Sequence, residues 1–192
     1  EIDLRFSATL RKLDLEVDDV DVAIRFGDGS DEGLYSLPVR REWATPVMAP
    51  ELAENFPTPE SLTGAPLIFD DSIGFLRPRI DWPAWFRAVG LTFEPDHGTH
   101  FSNADHAVDA AIAGAGVALG RRAMIIKDLE DGRLVAPFKT AIESQARFRF
   151  LCLEGAEQRP QIAAFRDWFV AEIEKTAYVS DAFDIIPIAE VP

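Results

Sequence analysis

Ser102-Asn103-Ala104-Asp105-His106 is the stretch whose residue types could do chemistry. Ser and Asn are good N-cap residues, because a side-chain oxygen there can accept a bond from an unpaired N–H of the first helical turn. Val108, Ala111, Ile112 and Ala115 recur at three- and four-residue spacing, which predicts a helix with one apolar stripe. Gly114 and Gly116 end it, and Val117-Ala118-Leu119 reads as a short buried strand. A helix start of this kind offers backbone N–H groups and the positive end of the helix dipole, which suits a carboxylate or another anion. The same cap also serves a plain surface helix with nothing bound. A dinucleotide fingerprint has the reverse order, with glycines opening a helix after a strand, so Gly114 and Gly116 are read as a turn device.

Other residues with reactive side chains fit structural roles. His97 and His100 are three apart in a predicted strand, so they point to opposite faces, and His106 sits a turn into the helix; no metal site is expected from them. Cys152 lies in an apolar strand pattern and reads as a buried thiol. Asp70-Asp71 are adjacent, so their side chains diverge, and a solvated or helix-capping role is expected. Trp82 and Trp85 share a helical face and read as core. No nucleophile motif is recognisable, and no cofactor is implied.

The charge balance narrows the function. Lys and Arg number 19 against 33 Asp and Glu, a net charge of −14, which argues against phosphate-backbone contact by this chain itself. A single Cys excludes an intrachain disulfide. At 47% hydrophobic, the 192 residues can bury a sizeable core in one domain or two small lobes. No apolar run reaches the ~18 residues of a membrane span, and a cytoplasmic protein is the default expectation.

Period-two alternation predicts strands over Ile2–Phe6 and Asp21–Gly27, over Leu34–Arg41 broken by Pro38, and over Trp43–Met48. Further strands are expected at Leu67–Phe69, His97–Phe101, Leu134–Ala136 and Phe148–Cys152. Helices are expected from Pro50, from Asp81 to Gly90, over Met124–Leu129, and from Pro160 with an Ile162, Phe165, Phe169 and Ile173 stripe. Alternating strands and helices favour an α/β fold with mainly parallel sheets. The middle section, 47–137, carries its own strands and helices. The outer sections, 1–46 and 138–192, need each other to complete a sheet. That pattern predicts two lobes joined by two crossing strands with a cleft, a favoured place for a ligand.

Six pieces in order carry a family resemblance. They are Asp19-Val20-Asp21-Val22-Ala23-Ile24-Arg25-Phe26-Gly27, Pro46-Val47-Met48-Ala49-Pro50, Trp82-Pro83-Ala84-Trp85-Phe86, Ala113-Gly114-Ala115-Gly116-Val117-Ala118-Leu119-Gly120, Asp131-Gly132-Arg133-Leu134-Val135-Ala136-Pro137-Phe138 and Phe165-Arg166-Asp167-Trp168-Phe169. Together the chain resembles the effector-binding domain of LysR-type transcriptional regulators, in the branch of the glycine-cleavage activator and the β-lactamase regulators. The resemblance implies two Rossmann-like lobes in a type 2 periplasmic-binding-protein-like fold. It implies a small effector in the cleft, expected to be anionic from the cap chemistry above, a homodimer or tetramer, and DNA contact only through an N-terminal winged helix-turn-helix not carried by this chain. Ser102 and Asn103 match the second-lobe helix start, and Arg25, Phe26, Gly27 and the neighbouring Asp28 match a first-lobe loop edge; these six are the expected effector contacts.

The family domain opens with a further strand and helix before the segment that Ile2–Phe6 resembles. Ile185-Ile186-Pro187-Ile188 could fill such a gap, but the 178–192 stretch is expected to be a loose tail. A solute-binding protein of the same fold is the alternative function. A small α/β enzyme is the third, and it lacks a catalytic constellation.

Overall fold

The computed structural model describes residues 2–9, 11–27 and 29–192. In chain order its elements are β1 (Ala23–Gly27), β2 (Leu34–Val47), α1 (Pro50–Ala53), β3 (Leu67–Asp70), α2 (Trp82–Ala88) and β4 (Thr99–Phe101). They continue with α3 (Ala104–Ile112), β5 (Val117–Arg121), α4 (Arg122–Glu130), β6 (Thr140–Leu153), α5 (Pro160–Lys175) and β7 (Asp184–Pro187). Two compact units result. The first comprises residues 1–40 and 147–175, the second residues 41–146 and 176–192, and the 14-residue strands β2 and β6 have residues in both.

In the first unit, β1 runs antiparallel to β6, from Ala23 opposite Leu151 to Gly27 opposite Arg147. Phe150, Cys152, Ala156 and Ile162 form its core, with Tyr35, Leu37, Phe165 and Phe169 packed against them. The Cys152 thiol is buried, as its apolar strand pattern predicts.

In the second unit, β3 lies between β4 and β5 and runs parallel to both, and β5 runs antiparallel to β2. Trp43, Val47, Ile68, Val108, Ala118 and Ile125 are among the buried residues of its core. Asp81 caps α2 by accepting from the Ala84 N–H at 3.0 Å, with Pro83 in the first turn and Gly90 at φ +81° beyond the end. The indole N–H groups of Trp82 and Trp85 donate to the carbonyls of Ile68 (2.9 Å) and Thr140 (3.0 Å), so both rings are core, as their spacing predicts.

Several expectations are corrected. The sheet is mixed rather than mainly parallel, because β1 opposes β6 and β2 opposes β5. The two strands predicted on either side of Glu42 are one strand, since a proline costs a ladder only the N–H it lacks and Pro46 still sits opposite Leu119. The strand predicted at Leu134–Ala136 is a single bridge between Val135 and Met48. Ile2–Phe6 forms no strand, because none of the described strands pairs with it, and Phe6 is 81% exposed. The 178–192 stretch is not a loose tail: β7 runs parallel to β6, from Asp184 opposite Thr140 to Pro187 opposite Glu143, and Ile188 is buried. Residues 176–192, grouped with the outer sections on pattern, therefore pack in the second unit.

Candidate functional site

Parallel strands end on the same edge, and in an open α/β sheet that edge is where ligands bind. In the second unit it is built from Asp70 at the end of β3, Ser102 and Asn103 after β4, and Arg121 at the end of β5. Each strand feeds a helical start there. Asp70 accepts from the Ser72 N–H at 2.9 Å and so caps the short turn Asp71–Ile73, the capping role its position predicts. It is not solvated, however. Its Oδ2 lies 3.3 Å from the Arg121 Nε, and both side chains are about nine-tenths buried.

The α3 start differs from its expected form. Asn103 occupies the N-cap with extended backbone (φ −129°, ψ 136°), but its side chain makes no capping bond. The first-turn N–H groups, which have no intrahelical partners, therefore receive no bond from the Asn103 side chain. Ser102 beside it is exposed. Ala104 and Ala107 of α3, Ile68 and Asp70 of β3, and Ala118 and Arg121 of β5 line a small hollow at this edge.

Behind Arg121 lies a buried carboxylate that the alternation of β2 did not flag. Glu42 is 1% exposed and accepts from the Ala123 N–H at 3.1 Å. Burial pushes its carboxyl up to about 7, against the lowering pull of that N–H and of the Arg121 and Arg122 guanidinium groups. Glu42, Asp70 and Arg121 are the residues that sequence reasoning missed or undervalued. The available signal was at Arg121, a charged residue closing the apolar run Val117–Gly120, whereas Glu42 follows Arg40-Arg41 and reads as part of a charged patch.

The first-unit residues are placed as follows. Arg25 stands opposite Arg149 in the β1/β6 register, and both reach Asp31: Arg149 Nε at 2.9 Å and Arg25 Nη1 at 3.6 Å. Arg25 also donates to the Leu13 carbonyl. Arg149 donates to the carbonyls of Gly27 (3.0 Å) and Gly29 (2.9 Å), which ties down the loop after β1. The Phe26 ring packs on Phe148, with centroids 5.1 Å apart. Asp28 lies outside the described residues. Arg25, Phe26 and Gly27 are thus together at the end of β1, and Ser102 and Asn103 are together before α3, in the other unit.

His97 and His100 have separate acid partners, Asp96 (2.6 Å) and Asp71 (3.1 Å). Among the described residues no helix is long and apolar enough to cross a membrane.

This α/β chain with its mixed sheet matches solved effector-binding domains of LysR-type regulators, which have the type 2 periplasmic-binding-protein-like fold. The effector domain of the regulator AmpR of Pseudomonas aeruginosa superposes with a TM-score of 0.71 at 28% identity, covering 93% of this chain and 83% of that one. The AmpR effector-binding domain from Citrobacter freundii gives 0.72 at 26% identity, covering 90% and 84%. The sequence matches the LysR substrate binding domain over residues 1–174, so the chain belongs to that family. It is 37% identical over 175 residues to the glycine cleavage system transcriptional activator of Escherichia coli (strain K12), covering 89% of this chain and 55% of that protein. The chain therefore spans about half the length of the curated relatives it matches. A solute-binding protein of the same fold is not favoured by these likenesses.

Proposed function

We propose that this chain is the effector-sensing regulatory domain of a LysR-type, DNA-binding transcriptional regulator, and that a small anionic molecule seats on the carboxyl-terminal edge of β3, β4 and β5. The observation that carries the proposal is the α3 start: backbone N–H groups with no side-chain cap, beside a buried Arg121 and over a lined hollow. Ser102 and Asn103 supply polar contacts at the rim. In the first unit, taken by itself, Phe26, Gly27 and Asp28 remain proposed effector contacts. Arg25 is given an internal role, holding Asp31.

DNA contact falls to an N-terminal winged helix-turn-helix, because a domain of net charge −14 is poorly suited to phosphates. The regulator works in the cytoplasm as a homodimer or tetramer, and the domain itself catalyses nothing. The curated relatives, named as transcriptional activators, support this reading.

A thermal-shift screen of amino acids, small carboxylates and peptidoglycan fragments tests it. The expected hit is anionic and raises Tm. A screen whose hits are all cationic or uncharged would overturn the anionic assignment.

A further inference from the structure

Residues 176–192 lie beyond the stretch that matches the family, yet they are built into the second unit. Trp43 donates from its indole to the Ser180 hydroxyl at 3.0 Å, and its ring lies 4.6 Å from that of Phe183. Arg122 donates to both the carbonyl (2.9 Å) and the hydroxyl (2.7 Å) of Thr176. The Asp184 N–H donates to the Lys139 carbonyl at 2.8 Å, where β7 begins its pairing with β6. Val179, Phe183 and Ile185 pack against the core cluster that contains Ile68, Ala107, Val108 and Ala118, four of the residues lining the hollow under Arg121.

Two neighbouring pairs of residues connect this segment to the site. Arg121 faces Asp70, and the next residue, Arg122, faces Thr176. Glu42 accepts from the first turn of α4, and the next residue, Trp43, holds Ser180. The β5–α4 junction is thereby pinned from β2 on one side and from the 176–192 segment on the other. We propose that residues 176–192 are a strap whose docking positions Arg121 against Asp70, with Thr176 and Ser180 as the positioning residues. This rests on the reading of that edge as the effector wall.

The test is nitrogen-15 NMR of the protein carrying Thr176→Val and Ser180→Ala together. Amide exchange at Asp184 and Ile186, whose N–H groups face β6, reports strap docking, and the Arg121 Nε–H resonance reports the wall. The expected result is exchange at least about fivefold faster at Asp184 and Ile186, with a displaced or broadened Arg121 signal. Thr176→Ser, which keeps the hydroxyl, is expected to retain the unaltered Arg121 signal. An unchanged Arg121 signal in the double variant overturns the proposal, whether or not strap exchange rises. The effector wall is read separately. If acetate and inorganic phosphate, titrated into the unaltered protein, move no amide of Ala104–His106, the wall is wrong, and the positioning of Arg121 is still decided by its own resonance.

Discussion

The Glu42 carboxylate on β2 accepts the backbone N–H of Ala123 on α4 at 3.1 Å, inside a core where Glu42 is 1% exposed. Because burial raises its folded-state value from 4.5 to about 7, the folded protein holds this proton more tightly than the unfolded chain. The stability it contributes is present below about pH 4.5 and is lost as pH rises through about 7. A shift of that size corresponds to about 3 kcal/mol. Glu42→Gln keeps an acceptor for the Ala123 N–H and removes the titration. Urea unfolding at pH 5 and pH 8 is expected to show a smaller fall in stability for the variant. Equal falls in both proteins would contradict the assignment.

Asp31 is buried between two arginines, and its partner Arg149 is buried with it. Asp31→Ala strands those cations, and removing one partner of a buried pair costs about 3–5 kcal/mol. A lowered denaturation midpoint of that order is expected, together with faster exchange in the loop that follows β1. A loss below about 1 kcal/mol would mean the pair is hydrated and contributes little.

Gly114 and Gly116 separate two uses of glycine. Gly114 has φ +76° with nothing within 4 Å of an added Cβ, so Gly114→Ala carries only left-handed strain of about 1–2 kcal/mol. Gly116 is needed for close approach instead, because an added Cβ would lie 2.1 Å from the Pro66 carbonyl oxygen. That oxygen accepts the Val117 N–H where β5 begins. Gly116→Ala is expected to cost the more of the two in thermal denaturation, by at least about 1 kcal/mol. The opposite order would show that the Pro66–Val117 junction yields easily.

Much of this architecture was legible because local signals and tertiary needs agree. Asp81, Pro83 and Gly90 mark both ends of α2, and the alternating Phe148, Phe150 and Cys152 mark half of β6. The other half, Thr140–Ala146, interleaves polar residues that find partners only in the folded unit, such as Glu143, whose carboxylate lies 3.0 Å from the Arg41 guanidinium. Ile2–Phe6 shows the converse. Alternation states what a strand would bury, but it cannot supply the neighbouring strand. The extended Asn103 start of α3, the proposed effector contact, was readable from Ser102-Asn103, whereas the burial of Glu42 and the pairing of Asp70 with Arg121 were not. Their roles depend on Arg121, which is brought to them from 51 or more positions away along the chain.

Asn103 caps α3 by backbone geometry alone, so Asn103→Ala should leave stability within about 0.5 kcal/mol of the parent while weakening the effector contact. Unchanged affinity for a true effector would remove its side chain from the site.

The sharpest measurement uses the backbone itself. Ala104 is the first helical residue and follows an extended Asn103, a position where proline is well tolerated and lacks only the N–H. Calorimetric titration of the anionic hit into the parent and the Ala104→Pro variant is expected to show at least about tenfold weaker binding with Tm little changed. Equal affinity in the two proteins would contradict the claim that the α3 tip holds the effector.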